Sequence, residues 1–156
     1  GCANGYISIS ASKACRKVYA IDIHEESITA LKENILNSKL MNIHPIIADA
    51  TKTIPLNNES IDVCLVSNLM HGFVANKESV SALNEISRVL RKEATLAVVE
   101  FKKMFSSNGP PLEIRLSPEE VNAIVKKHGF IRTKMTEISP FHYEILFKKT
   151  ERFLGF

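Results

Sequence analysis

Three features of this sequence could do chemistry. The first is a short turn, GCANG, with glycines at Gly1 and Gly5. Such a turn lets the backbone crowd against a small molecule, and the helix that follows points unpaired N–H groups at negative groups. The second is Asp22, which closes the apolar run VYAIDI about twenty residues later. An acidic residue there, at the end of the next strand, can accept hydrogen bonds from ribose hydroxyls. The third is a set of histidines near apolar runs, His71 and His142 above all. A histidine can take a proton near neutral pH.

The elements that must position these residues are legible in the hydrophobic pattern. Tyr6 to Ala14 reads as a helix, and Val18 to Ile23 as a short buried strand. Ile28, Leu31, Ile35 and Leu36 recur at helical spacing, so Glu25 to Leu40 is an amphipathic helix. HPIIADA gives a second strand ending near Asp49. IDVCLVSN is a third, apolar nearly throughout and therefore expected to be covered on both faces. Val80, Leu83, Ile86, Val89 and Leu90 mark a further helix with Asn76 as its N-cap, and TLAVVEF is the fourth strand. Ser117-Pro118-Glu119-Glu120 starts a helix, with a capping box between Ser117 and Glu120, and Gly129 stops it. FIRTKMTEI and HYEILFKK alternate and form a terminal antiparallel pair. Strands alternating with helices predict an α/β fold: a mostly parallel sheet, helices on both faces, and a C-terminal antiparallel strand pair.

A glycine turn of this kind serves either a dinucleotide or S-adenosylmethionine. The dinucleotide frame G-x-G-x-x-G falls on Gly1, Ala3 and Tyr6, and a tyrosine is too bulky where helix packs on strand. The frame G-x-G-x-G falls on Gly1, Ala3 and Gly5 and fits better. The rival readings are a plain loop at Gly1–Gly5, a solvated strand end at Asp22 and a turn cap at Asp49.

The ordered set GCANG, VYAIDI, ADA at 48–50, IDVCLVSNLMH and LNEISRVLRKEATLAVVEF resembles the class I S-adenosylmethionine-dependent methyltransferases of the type 11, ubiquinone-biosynthesis-like group. The likeness covers roughly residues 1–101. It implies a Rossmann-like fold and an enzyme that transfers a methyl group from S-adenosylmethionine to a small-molecule acceptor. It also implies site residues. Gly1, Cys2, Ala3 and Gly5 would lie along the methionine part of the cofactor. Asp22, with Ile23 beside it, would hold the ribose. Asp49 would meet the adenine amine next to Ala50, and Asn68 would sit near donor and acceptor. His71 and His142 are the candidates for a catalytic base, with Tyr143 beside the latter. Glu113 and Arg115, in the long MFSSNGPPLEIRLSPEE stretch, are possible acceptor contacts; the alternative for that stretch is a surface crossover. The sequence departs from the family at Ala3, where a glycine is usual. It departs again at Lys92-Glu93-Ala94, where Pro-Gly-Gly is common. The family's first central strand, which should precede Gly1, is also missing. The expectation is an N-terminally truncated methyltransferase domain over 1–149, then a tail over 150–156.

Composition narrows the alternatives. A net charge of +3 with scattered lysines gives no footprint for nucleic acid, and Lys148-Lys149 reads as a solvated strand end. Three cysteines, without C-x-x-C spacing, argue against a zinc site and for a reducing, cytoplasmic setting. No apolar run is long enough to span a membrane. Two other functions stay open at this level: a nicotinamide-dependent oxidoreductase, and a non-catalytic binding module of the same fold.

Overall fold

The computed structural model describes residues 1–150; apart from Thr150, the expected tail lies outside the described residues. The chain forms two compact units, Gly1–Pro55 and the part from Leu56 onward.

The first unit is built from helix α1 (Tyr6–Ser12), strand β1 (Val18–Asp22), helix α2 (Glu25–Asn37) and strand β2 (Ile43–Ile47). β1 and β2 pair in parallel, from Val18 opposite Ile43 to Asp22 opposite Ile47. The helical spacing of Ile28 and Leu31 turns one face of α2 inward, and both pack with Ala20 and Ile43 in the unit's core. Each predicted element is present; α1, β1 and α2 start where expected and end two, one and three residues early, and β2 starts one residue earlier and ends three residues sooner.

The second unit contains β3 (Ile61–Ser67), α3 (Met70–Ala75), α4 (Ser79–Val89), β4 (Leu90–Phe101), α5 (Pro118–Val125), β5 (Phe130–Glu137) and β6 (His142–Lys149). Its sheet order is β3-β4-β6-β5. β3 runs parallel to β4, and β6 is antiparallel to both β4 and β5. Leu96 and Val98 on β4 stand opposite Phe147 and Ile145 on β6, and all four are buried. α4 and α5 contribute Leu83, Ile86, Val121 and Val125 to the core residues.

Four expectations need correction here. Asn76 does not cap α4; it closes the short helix α3, which the apolar spacing had not revealed, and Glu78 holds the N-cap position of α4. β3 is not covered on both faces, for Val63 and Leu65 are exposed. An apolar run records hydrophobicity and not which face finds a neighbour. β4 begins five residues early, at Leu90, with an irregularity where pairing jumps from Ile61–Leu90 to Val63–Thr95. Glu93 sits there at φ 61°, a left-handed backbone that glycine adopts more readily. Finally, Lys149 is no solvated strand end. Its Nζ donates to the carbonyls of Ser87 and Leu90, satisfying acceptors at the C-terminal end of α4.

The capping box of α5 forms as expected. Ser117 Oγ accepts from Glu120 N at 3.2 Å, and Glu120 Oε2 accepts from Ser117 N at 2.7 Å. Gly129 ends the following 3-10 turn at φ 81°. Substitution Ser117→Ala should lower stability by about 1 kcal/mol; chemical denaturation of the two proteins measures it.

Candidate functional site

In the first unit the turn and the acidic strand end meet directly. The N–H of Ala3 donates to Asp22 Oδ2 at 2.9 Å, and the N–H of Cys2 donates to the Ile21 carbonyl, also at 2.9 Å. The N–H of His24 donates to Asp22 Oδ1 at 3.0 Å. Asp22 is only 5% exposed, so its charge is held by backbone dipoles. Burial pushes its pKa up, but the His24 and Ala3 N–H groups, together with the charge of the nearby amino terminus, outweigh that effect, and the pKa lies below the usual 3.8. On the far side of the turn, Asn34 Nδ2 donates to the Asn4 carbonyl at 2.9 Å.

The two special backbone positions of the turn are Ala3, at φ 47°, and Gly5, at φ 89°. The expected middle glycine is therefore an alanine in left-handed geometry, at a strain of about 1–2 kcal/mol. Gly5 is required for a reason the motif does not give. A Cβ there would lie 2.2 Å from Leu31 Cδ1, in the core of the unit. Its missing side chain makes room for α2 rather than for a ligand.

Asp49 follows β2, the parallel neighbour of β1, so it stands at the same edge as Asp22. Its Oδ1 accepts from Thr51 N at 2.9 Å and from Thr51 Oγ1 at 2.6 Å. Those bonds, the hydroxyl's first, hold its pKa below the usual range. Asp49 thus caps a turn, with Lys52 Nζ 3.4 Å from Oδ2. Ile23 is exposed and Ala50 half-buried beside these aspartates.

In the second unit, Asn68 follows β3 in left-handed geometry, φ 54°, and its N–H donates to the Val99 carbonyl at 2.8 Å. His71 lies in the first turn of α3 and is gripped by Glu100, near the end of β4. Glu100 Oε2 is 2.8 Å from His71 Nδ1, and Oε1 accepts from the His71 N–H at 3.1 Å. Glu100 is 1% exposed. Sequence reasoning missed it, although a signal existed: it continues the inward row Leu96, Val98 at spacing two, where an acid is costly without partners.

The other candidates are occupied structurally. His142 Nδ1 is 3.0 Å from Ser139 Oγ, and its ring lies against that of Phe101, tilted by 46°, at 4.1 Å between centroids. Tyr143 is buried and donates its hydroxyl to the Leu116 carbonyl at 2.7 Å; burial and the charge of Glu100 raise its pKa. Arg115 is buried too. Its guanidinium donates to the carbonyls of Lys102, Met104, Asn108 and Pro110, so it holds the long loop together from inside rather than facing an acceptor. Cys64 is half-buried in β3, and burial pushes its thiol up to about 12. Among the described residues, no group of His, Cys, Asp or Glu is placed to hold a metal ion.

Parallel strands with ligand-type turns at their carboxyl ends, closed by an antiparallel pair, define a Rossmann-like α/β protein. The family model described as a methyltransferase domain matches residues 1–98, and the chain belongs to that family. A SAM dependent methyltransferase from Aquifex aeolicus superposes with TM-score 0.87 at 27% identity, over 95% of this chain and 78% of that one. A putative type 11 methyltransferase from Sulfolobus solfataricus shares the fold with TM-score 0.78 at 23% identity, over 98% and 82% of the two chains. The ubiquinone/menaquinone biosynthesis C-methyltransferase UbiE of Campylobacter jejuni is 32% identical over 108 residues, 60% of this chain. The chain spans 44% of the length of that relative.

Family and neighbours make S-adenosylmethionine the cofactor, and the residues present fit its ribose. An ionised carboxylate accepts about four hydrogen bonds. The Ala3 and His24 N–H groups use one position on each Asp22 oxygen, which leaves one on each for a vicinal diol.

Two outcomes follow from this geometry. Because its pKa is lowered on folding, Asp22 adds stability that is complete above about 3.8 and lost as the pH falls through its folded value. The stability gap between wild type and Asp22→Asn, followed by denaturation across pH 2–6, should therefore shrink below about pH 4. Gly5→Ala should destabilise by at least about 2 kcal/mol, from left-handed strain and overpacking against Leu31; thermal melting reads that loss.

Proposed function

We propose that this chain is the S-adenosylmethionine-binding part of an enzyme that methylates a small molecule, with one methyltransferase domain over residues 1–149. The observation that carries the reading is the 2.9 Å bond between the Ala3 N–H and Asp22. It brings the turn and the carboxylate side by side, the arrangement a nucleoside needs. Asp22 would accept from both ribose hydroxyls. Cys2, Ala3 and the turn from Gly1 to Gly5 would lie along the methionine part. Ile23 and Ala50 would flank the adenine, with Asp49 Oδ2 toward its amine.

The cofactor supplies an activated methyl group, so the protein's task is position and exclusion of water. The acceptor is a small molecule, aromatic or quinone-like, in keeping with the ubiquinone/menaquinone methyltransferase relative. No helix among the described residues is long and apolar enough to cross a membrane. The free cysteines Cys2, Cys15 and Cys64 suit a cytoplasmic setting. The comparisons favour neither the oxidoreductase nor the binding module.

Calorimetric titration with S-adenosylmethionine and with NADH tests the reading. The former should bind and turn over with an acceptor, and Asp22→Ala should weaken its binding by about 1–3 kcal/mol. Preference for NADH, or an unchanged dissociation constant in the variant, would overturn it.

A further inference from the structure

The short helix α3 is weakly held by its own sequence. Six residues close few hydrogen bonds, and its N-cap residue Leu69 supplies no side-chain cap. Met70 is its one buried residue, whereas α4 buries Ala82, Leu83, Ile86, Ser87 and Val89. Gly72 weakens it further. Its φ is not left-handed, and beyond its own helix a Cβ there would meet no described residue within 4 Å. Neither backbone nor packing therefore asks for a glycine. A glycine inside a helix still costs stability, because the unfolded chain has more freedom to lose.

Both ends of the segment turn on left-handed residues. Asn68 precedes it at φ 54°, and Lys77 follows it at φ 61°. The Glu78 N–H donates to the Phe73 carbonyl at 2.7 Å, and the Lys77 N–H to that of Val74 at 3.0 Å. This double closure is usually built on glycine, so a lysine in its place is strained. Residues at such element ends can absorb a backbone change as hinges.

Two ties hold α3 down. One is the buried Met70. The other is Glu100 on β4, itself 1% exposed. Its Oε1 accepts at 3.1 Å from the N–H of His71, a first-turn donor with no partner inside the helix. Its Oε2 lies 2.8 Å from the ring Nδ1 of the same residue. Main chain and ring are thus caught at once by one carboxylate.

We infer that α3 is a gate: it opens and recloses as one piece about Asn68 and Lys77, with Glu100 as its catch, while β3, β4 and α4 stay folded. Opening takes both His71 contacts from Glu100 and gives the carboxylate to water. The segment directly follows β3, so its opening bares the carboxyl end of the parallel pair β3–β4. Neither the gate nor its test depends on methyl transfer.

Native-state hydrogen exchange of the full chain in dilute denaturant, read by NMR, tests this. The amides of His71, Phe73, Asn76 and Glu78 should share one opening constant, at least about tenfold larger than that of the α4 core amides, and a small denaturant slope. Gly72→Ala should slow all four together by about two- to fivefold and leave α4 unchanged. Glu100→Gln should speed all four. Exchange of the four only together with α4 would overturn the gate. So would rates graded from Glu78 back to His71, which mark fraying from one end, or no response to Gly72→Ala. Unchanged rates in Glu100→Gln would remove Glu100 as the catch. Should that variant not fold, wild type and Gly72→Ala decide the matter by themselves.

Discussion

A buried aspartate must have its charge answered, and in this protein the answer organises the ligand edge of the first unit. Asp22 ends β1 almost out of reach of solvent, and the N–H groups of Ala3 and His24 turn toward it. The bond from Ala3 pulls the left-handed turn onto the strand end. The bond from His24 sets the entry to α2. An uncompensated carboxylate at this depth would cost several kcal/mol. The backbone therefore folds around it in one way, which leaves the carboxylate with acceptor capacity to spare.

The second unit repeats the principle with a different readout. Glu100 stands in an apolar row and is answered by the main chain and ring of one residue, His71. The helix that carries His71 is only six residues long and has no side-chain cap of its own. A helix so short gains little from its own hydrogen bonds and needs tertiary support. Glu100 gives that support and sets the imidazole at the same time. Arg115 works by the complementary rule: a buried cation surrounded by carbonyls orders a loop rich in proline and glycine.

Loop and strand ends thus hold the buried charges and their partners, while the helices and the alternating rows of β4 and β6 carry the packing. The family match covers residues 1–98, which hold the turn, both aspartates, β3 and most of β4. The long loop after β4 lies beyond it.

The sequence by itself determined what depends on neighbours along the chain. The α2 stripe, the alternation of β6, the Ser117 capping box, the Gly129 stop and the Asp22 strand end were all legible from short-range spacing. These features follow from local backbone geometry. Tertiary structure decided the rest. It exposed Val63 and Leu65 on an apolar strand, turned Lys149 and Arg115 inward, and gave Gly5 a partner in Leu31. It also joined His71 to Glu100 across 29 residues of sequence. Periodicity records which face of an element is apolar. Which distant residue meets that face, and which buried charge is satisfied by which donor, is fixed only when the elements pack.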